Sequence, residues 1–163
     1  MLNFFGFSYL TAQRVAAQTE SNVIDDPEMG VHFIVPDGWQ ATKKEVGYVM
    51  GSSNTQGFML LRTDEFSSLK NLKQAMNAGI EQEDGSKLTP DTELNMLGNL
   101  GVSGLYKGTI DGNEMYGFLM AILEDGKGKA IICISVAPKT VFNQSNMDQL
   151  KILMRSAVRI KED

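Results

Sequence analysis

Cysteine, histidine and tryptophan occur once each in this chain, at Cys133, His32 and Trp39. A lone cysteine can form neither a disulfide within the chain nor a thiolate cluster around a metal. Cys133 sits in the apolar run from Ala130 to Ile134 with nothing basic beside it to generate a thiolate, and it reads as a small core residue. The lone histidine leaves a Ser–His–Asp or Cys–His system, or a histidine-rich zinc site, with one candidate. His32 stands beside Phe33 in a strand pattern, without a second recognisable ligand nearby and without a G-x-S-x-G motif in the chain, so it reads as structural. Positive charge is also short. The net charge is -5, the pI is about 4.9, and Lys and Arg are scattered instead of clustered. Such a balance repels phosphate backbones and anionic headgroups, so nucleic acid and membrane surfaces are not expected partners. Apolar runs are too short for a transmembrane helix.

What is present fits one ordinary domain. The 163 residues are 42% hydrophobic and 21% charged, and a chain of this size buries roughly 70% of the surface it exposes when unfolded. Two readings of the first residues stand side by side. Leu2 to Leu10 is apolar and Val15-Ala16-Ala17 has the small residues of a signal-peptidase site, yet Arg14 follows the apolar run and no Lys or Arg precedes it. The other reading is a short amphipathic helix from Tyr9 to Ala17 with Ser8 as its N-cap. No cysteine lies there to carry a lipid anchor. Residues 18–29 read as a linker, so the expected organisation is a helix, linker or signal-like segment over 1–28 and a single domain over 29–163, soluble and either cytoplasmic or exported to the periplasm.

Val31 to Val35 is rich in β-formers, and Pro36-Asp37-Gly38 predicts a tight turn with proline at its second position before Trp39 enters the next strand, which runs to Met50. Gly57 to Arg62 predicts a third strand. The period then changes: Leu69, Leu72, Met76 and Ile80 mark one helical face, with Ser67 or Ser68 as N-cap and Asp84-Gly85 as the end. Strands over 92–97, 101–110, 114–123 and 130–137 follow, two of them joined by Asp111-Gly112. Both alternating faces of Met115 to Leu123 are apolar, which predicts a central strand covered on both sides. Ser145 or Asn146 opens a last helix whose Met147, Leu150, Met154 and Val158 line one face. The order β-β-β-α-β-β-β-β-α predicts a three-layer α/β/α sandwich around a mostly antiparallel sheet, within the α+β type of α/β folds.

That order, with Phe33, Pro36, Gly38 and Trp39 as an F-x-x-P-x-G-W strand ending, resembles the PsbP/Mog/DcrB-like fold. The resemblance implies a small binding or assembly module instead of an enzyme. Its members include photosystem accessory subunits, a nuclear import factor that binds the Ran GTPase, bacterial envelope lipoproteins and secretion chaperones. The matched positions are structural, so the resemblance transfers no functional residue.

Glu81, Glu83, Asp84, Asp91 and Glu93 gather acidity, as do Glu124 and Asp125, but they flank loops and lack EF-hand spacing. Gly98, Gly101, Gly104 and Gly108 lack the G-x-G-x-x-G spacing and lead into strands, so they predict bulges or close backbone approach, or an edge that touches a ligand. The ten methionines suit gap-filling in a core, or a groove for a peptide helix. The reading that results is a non-catalytic module with a protein partner, no cofactor and no metal, and the alternative is an exported protein that binds a small ligand or metal. The expected interaction surface comprises the glycine-rich region 98–108, with Gly101, Gly104 and Tyr106, and an aromatic edge at Trp39 and Tyr48.

Overall fold

The computed structural model describes residues 2–4, 22–82, 85–124 and 128–157. Residues 5–21, with most of the apolar and signal-like stretch and the expected helix from Tyr9 to Ala17, lie outside the described residues, as do Glu83, Asp84, Asp125 and Val158.

Among the described residues twelve strands and two helices follow one another: β1 (Leu2–Phe4), β2 (Val23–Asp26), β3 (Val31–Ile34), β4 (Gln40–Lys44), β5 (Gly47–Ser52), β6 (Thr55–Glu65), α1 (Leu69–Ala78), β7 (Ile80–Gln82), β8 (Lys87–Pro90), β9 (Asn95–Leu97), β10 (Gly101–Ile110), β11 (Asn113–Glu124), β12 (Lys129–Pro138) and α2 (Gln144–Ala157). Ten strands form one sheet in the order β1-β7-β8-β10-β11-β12-β6-β5-β4, with β9 also on β10, and β2 pairs with β3 apart from it. Among the described strands only β1 and β7 are parallel.

Successive side chains of a strand point to opposite faces, and here the alternation divides two cores. On β12, Ala130, Ile132, Ile134 and Val136 join α1's Leu72 and Met76, together with Leu88, Val102, Tyr106 and Leu119. Ile131 and Cys133 of the same strand join Phe33, Trp39, Met50 and Met59, with Leu150, Leu153 and Met154 of α2. The helices therefore serve opposite faces, and the β2–β3 hairpin shares its face with α2. The strand from Met115 lies between β10 and β12, as its composition predicts, yet its cover is incomplete: Tyr116, Phe118 and Met120 stay half-buried. The strand enclosed along nearly its whole length is β12, buried from Ala130 to Ala137.

Several boundaries differ from the sequence reading. The stretch read as a linker carries β2, which pairs Val23 to Asp26 with β3. The single strand expected from Trp39 to Met50 is a hairpin, turned at Glu45-Val46 where no glycine, proline, asparagine or aspartate marks it; Gly47 follows with φ +151°. Helix α1 starts at Ser68, whose hydroxyl accepts the Asn71 amide at 3.2 Å, but ends at Gly79 (φ +89°), so Ile80 belongs to a strand. At α2 the cap is Asn143, not Ser145 or Asn146. Its Oδ1 accepts the Ser145 amide while Asn146 Oδ1 accepts the Asn143 amide, each at 2.9 Å, a reciprocal pair that satisfies two helix-end donors. The turn after β3 places Pro36 first, not second: the Trp39 amide donates to the Pro36 carbonyl at 3.0 Å, with Gly38 at φ +79°.

Candidate functional site

The five residues expected at an interaction surface are all buried. Trp39 keeps 6% of its surface exposed, Tyr48 8% and Tyr106 none, and Gly101 and Gly104 lie buried along β10. Trp39 sits in the α2-side core with Phe33, whose ring meets the edge of Tyr48 at 5.1 Å between centroids. The F-x-x-P-x-G-W stretch thus anchors a corner of the scaffold. Tyr106 donates its hydroxyl to the Met76 carbonyl near the end of α1 at 2.7 Å, and burial raises its pKa far above the ordinary phenol range. The two glycines mark close approach: a Cβ on Gly101 would collide with the Ala121 carbonyl, and one on Gly104 would meet Leu94 Cδ2 at 2.6 Å.

Around Tyr48 the structure assembles a polar cluster that sequence reading missed. Asp26, 5% exposed, closes β2. Its Oδ2 accepts the Tyr48 hydroxyl at 2.7 Å and meets Lys43 Nζ at 2.8 Å, while its Oδ1 accepts the Met29 amide at 3.0 Å. The Lys43 ammonium, the Met29 amide and the Tyr48 hydroxyl hold the carboxyl well below the usual range. Lys43 also reaches Glu28 at 3.0 Å, and its pKa is raised by Asp26 and then Glu28. Burial, then the bond to Asp26, pushes Tyr48 up to about 12. A carboxylate so occupied is a poor proton acceptor. The cluster ties the β2–β3 hairpin to β4 and β5, and Lys129 Nζ adds a bond to the Met29 carbonyl.

The other candidate chemistries are dispersed. His32 Nδ1 lies 3.9 Å from Asp25, both partly exposed. The Cys133 thiol is buried, and burial pushes its pKa up, away from thiolate chemistry. The described acidic residues after α1 are spread over lysine pairs, Glu81 with Lys87, Asp91 with Lys107 and Glu93 with Lys73. Among the described residues no three His, Cys, Asp or Glu side chains gather as a metal site, and no helix is long and apolar enough to cross a membrane. A shallow hollow between β5 and β6, lined by Val46, Tyr48, Leu60 and Arg62 among others, has room for little more than a water molecule.

Exposed apolar side chains are more informative. Leu100 is 53% exposed, Met96 47% and Leu105 36%, and all three fall in the uncharged run from Leu94 to Tyr106. Met96 pairs across from Val102, on the α1 face, whereas Leu105 pairs with Phe118, on the α2 face. Leu100 lies in the β9–β10 turn, its amide donating to the Leu97 carbonyl at 3.1 Å. Met96 and Leu100 thus lie at the β9 margin of the sheet, and Leu105 lies two residues beyond that pairing on the other face of β10. The signal in the sequence is the uncharged run itself, in which only the glycines have a marked backbone preference.

No family model and no curated protein matches the sequence. Solved structures do match. The chain is similar to the solution structure of cyanobacterial PsbP (CyanoP) from Synechocystis sp. PCC 6803, with TM-score 0.55 and 11% identity over 89% of this chain and 96% of that one. It is also similar to a protein of Bacteroides thetaiotaomicron VPI-5482 solved at 1.50 Å, with TM-score 0.55 and 11% identity over 83% of this chain. The match spans about half, 48%, of the Bacteroides chain. At such identity the likeness establishes the fold: the chain has a PsbP-like fold.

Proposed function

We propose that this chain is a non-catalytic protein-binding or assembly module, and that a partner docks on the β9 margin beside the glycine-rich segment 98–108. The observation that carries the reading is the exposure of Met96, Leu100 and Leu105 within one uncharged run. Apolar side chains bared together mark partner surfaces more often than single ones do, and edge strands without charge invite pairing with another chain. The far edge contrasts with it, because β4 carries Lys43 and Lys44. The buried Gly101, Gly104 and Tyr106 act here as the scaffold beneath the margin. Trp39 and Tyr48 support the opposite half of the sheet.

The same reading places the chain in the wider PsbP/Mog/DcrB-like group, and takes the helices on opposite faces as the outer layers of an α/β/α sandwich. It takes residues 29–163 as one domain, joined from the N-terminal side by β2 on β3 and by β1, which adds to the main sheet beside β7. The non-enzymatic part of the reading is supported by the PsbP-like neighbour and by a polar cluster at Asp26 whose acceptors are already filled. Among the described residues, binding of a small ligand or metal has no comparable feature in its favour.

The test is affinity capture of the tagged full-length chain from its source cells, run beside Leu100→Asp. The expected result is a stoichiometric protein partner whose recovery falls about tenfold or more with the variant, as for a central apolar contact. Equal recovery by both chains contradicts the assigned surface, and the lack of any stoichiometric partner contradicts the module reading itself.

A further inference from the structure

Of the ten methionines, Met1 lies outside the described residues. Met50, Met59, Met76, Met115 and Met154 are buried, and Met29, Met120 and Met147 are half-buried. Met96 alone among the described methionines is exposed, at 47%. It stands in the three-residue strand β9, which pairs through Met96 and its two neighbours with the start of β10.

We infer that Met96 is a site of reversible oxidation by peroxide. The thioether sulfur attacks the terminal oxygen of hydrogen peroxide. The O–O bond breaks, a sulfur–oxygen bond forms, and the displaced hydroxide leaves as water after taking up the peroxide proton. The sulfur is oxidised by two electrons and the peroxide is reduced. Attack needs an open approach to the sulfur, which solvent exposure supplies at Met96 and core packing denies at the five buried methionines.

Tolerance is the second requirement. A sulfoxide is polar, so forming one in either core would bury a strong dipole with no partner. On β9 the new oxygen faces water. Oxidation at Met96 therefore changes the chemistry of the surface and leaves the fold in place, and methionine sulfoxide reductases can restore the thioether. The consequence for binding rests on the docking reading above: a polar sulfoxide would interrupt the uncharged margin formed with Leu100 and Leu105. The chemistry does not rest on it.

The experiment treats the full-length protein with limiting hydrogen peroxide and follows intact mass, peptide mapping and thermal melting. The first oxygen is expected on Met96, about tenfold or more ahead of the buried methionines, with the melting temperature of the singly oxidised protein held within about 2 °C. Met96→Leu is expected to remove this first phase. A first oxygen on any other methionine, unselective oxidation, or a larger loss of melting temperature on oxidation at Met96 would each overturn the inference. Neither readout involves a partner, so its failure is distinct from failure of the docking reading.

Discussion

Asp26 is a buried carboxylate that stays ionised because its oxygens are met by an ammonium, an amide and a phenol. Replacing it with asparagine removes the charge that orders Lys43 and Tyr48, and is expected to cost roughly 2–3 kcal/mol, as for hydrogen bonds to a charged group. Because the folded carboxyl titrates below its unfolded value, its contribution is complete above the unfolded pKa and is lost as pH falls below about 4 toward the lower folded value. Urea unfolding of wild type and Asp26→Asn from pH 7 down to pH ~2.5 checks this. The gap between the two should narrow only in the acid limb, and a gap independent of pH would refute the assignment. Tyr48 offers the alkaline counterpart. Raised to about 12, it should remain un-ionised at pH ~11, where an exposed phenol is mostly ionised, and absorbance titration of wild type against Tyr48→Phe reads this directly.

None of this was legible from the sequence around Asp26. The dipeptide Asp25-Asp26 precedes a proline in a polar stretch, and the residues that complete the cluster come from β4 and β5. By contrast, the buried fate of Cys133 follows from local chemistry alone, and the scaffold role of Phe33 from the strand ending that resembles the PsbP/Mog/DcrB-like fold. Burial was the point on which the surface expectation failed. Aromatic and glycine residues in a strand look the same in sequence whether they line a surface or a core, and only the pairing of β10 with β8, β9 and β11 settles which way they face.

At the scale of elements, long periodic segments were read well and short ones poorly. Helix α1 was predictable because Leu69, Leu72 and Met76 recur at helical spacing behind a serine cap. Ser68→Ala is expected to destabilise the protein by about 1 kcal/mol. The helix ends early because Gly79 takes a positive φ and a Cβ there would lie 2.5 Å from the Leu88 carbonyl oxygen. Gly79→Ala should therefore cost more than the cap, whereas Gly85→Ala, with positive φ but open space, should cost less than Gly79→Ala. Chemical denaturation of the three variants orders them, and an equal loss at both glycines would contradict the close approach. The three-residue strand β7 falls below the length at which alternation can be recognised, and β9 is only the second half of the strand expected over 92–97. The β4–β5 turn carries none of the residues on which turn prediction depends.

Across the whole molecule, one sheet separates two cores and leaves a margin of exposed apolar side chains at β9. Stability and binding should accordingly be separable. Phe33→Ala, in the α2-side core, is expected to cost about 3–5 kcal/mol. Leu100→Asp, in an exposed turn, should change stability by no more than about 0.5 kcal/mol while reducing partner recovery. The PsbP-like fold does not assign a partner, because one scaffold hosts many functions. The most direct test is therefore positional: crosslinking of the full-length protein to its captured partner, with the crosslinked peptides mapped by mass spectrometry. The account predicts crosslinks concentrated on residues 94–107 and sparse along β4. Crosslinks centred on β4, or on the exposed side of α2 around Ile152, would contradict it.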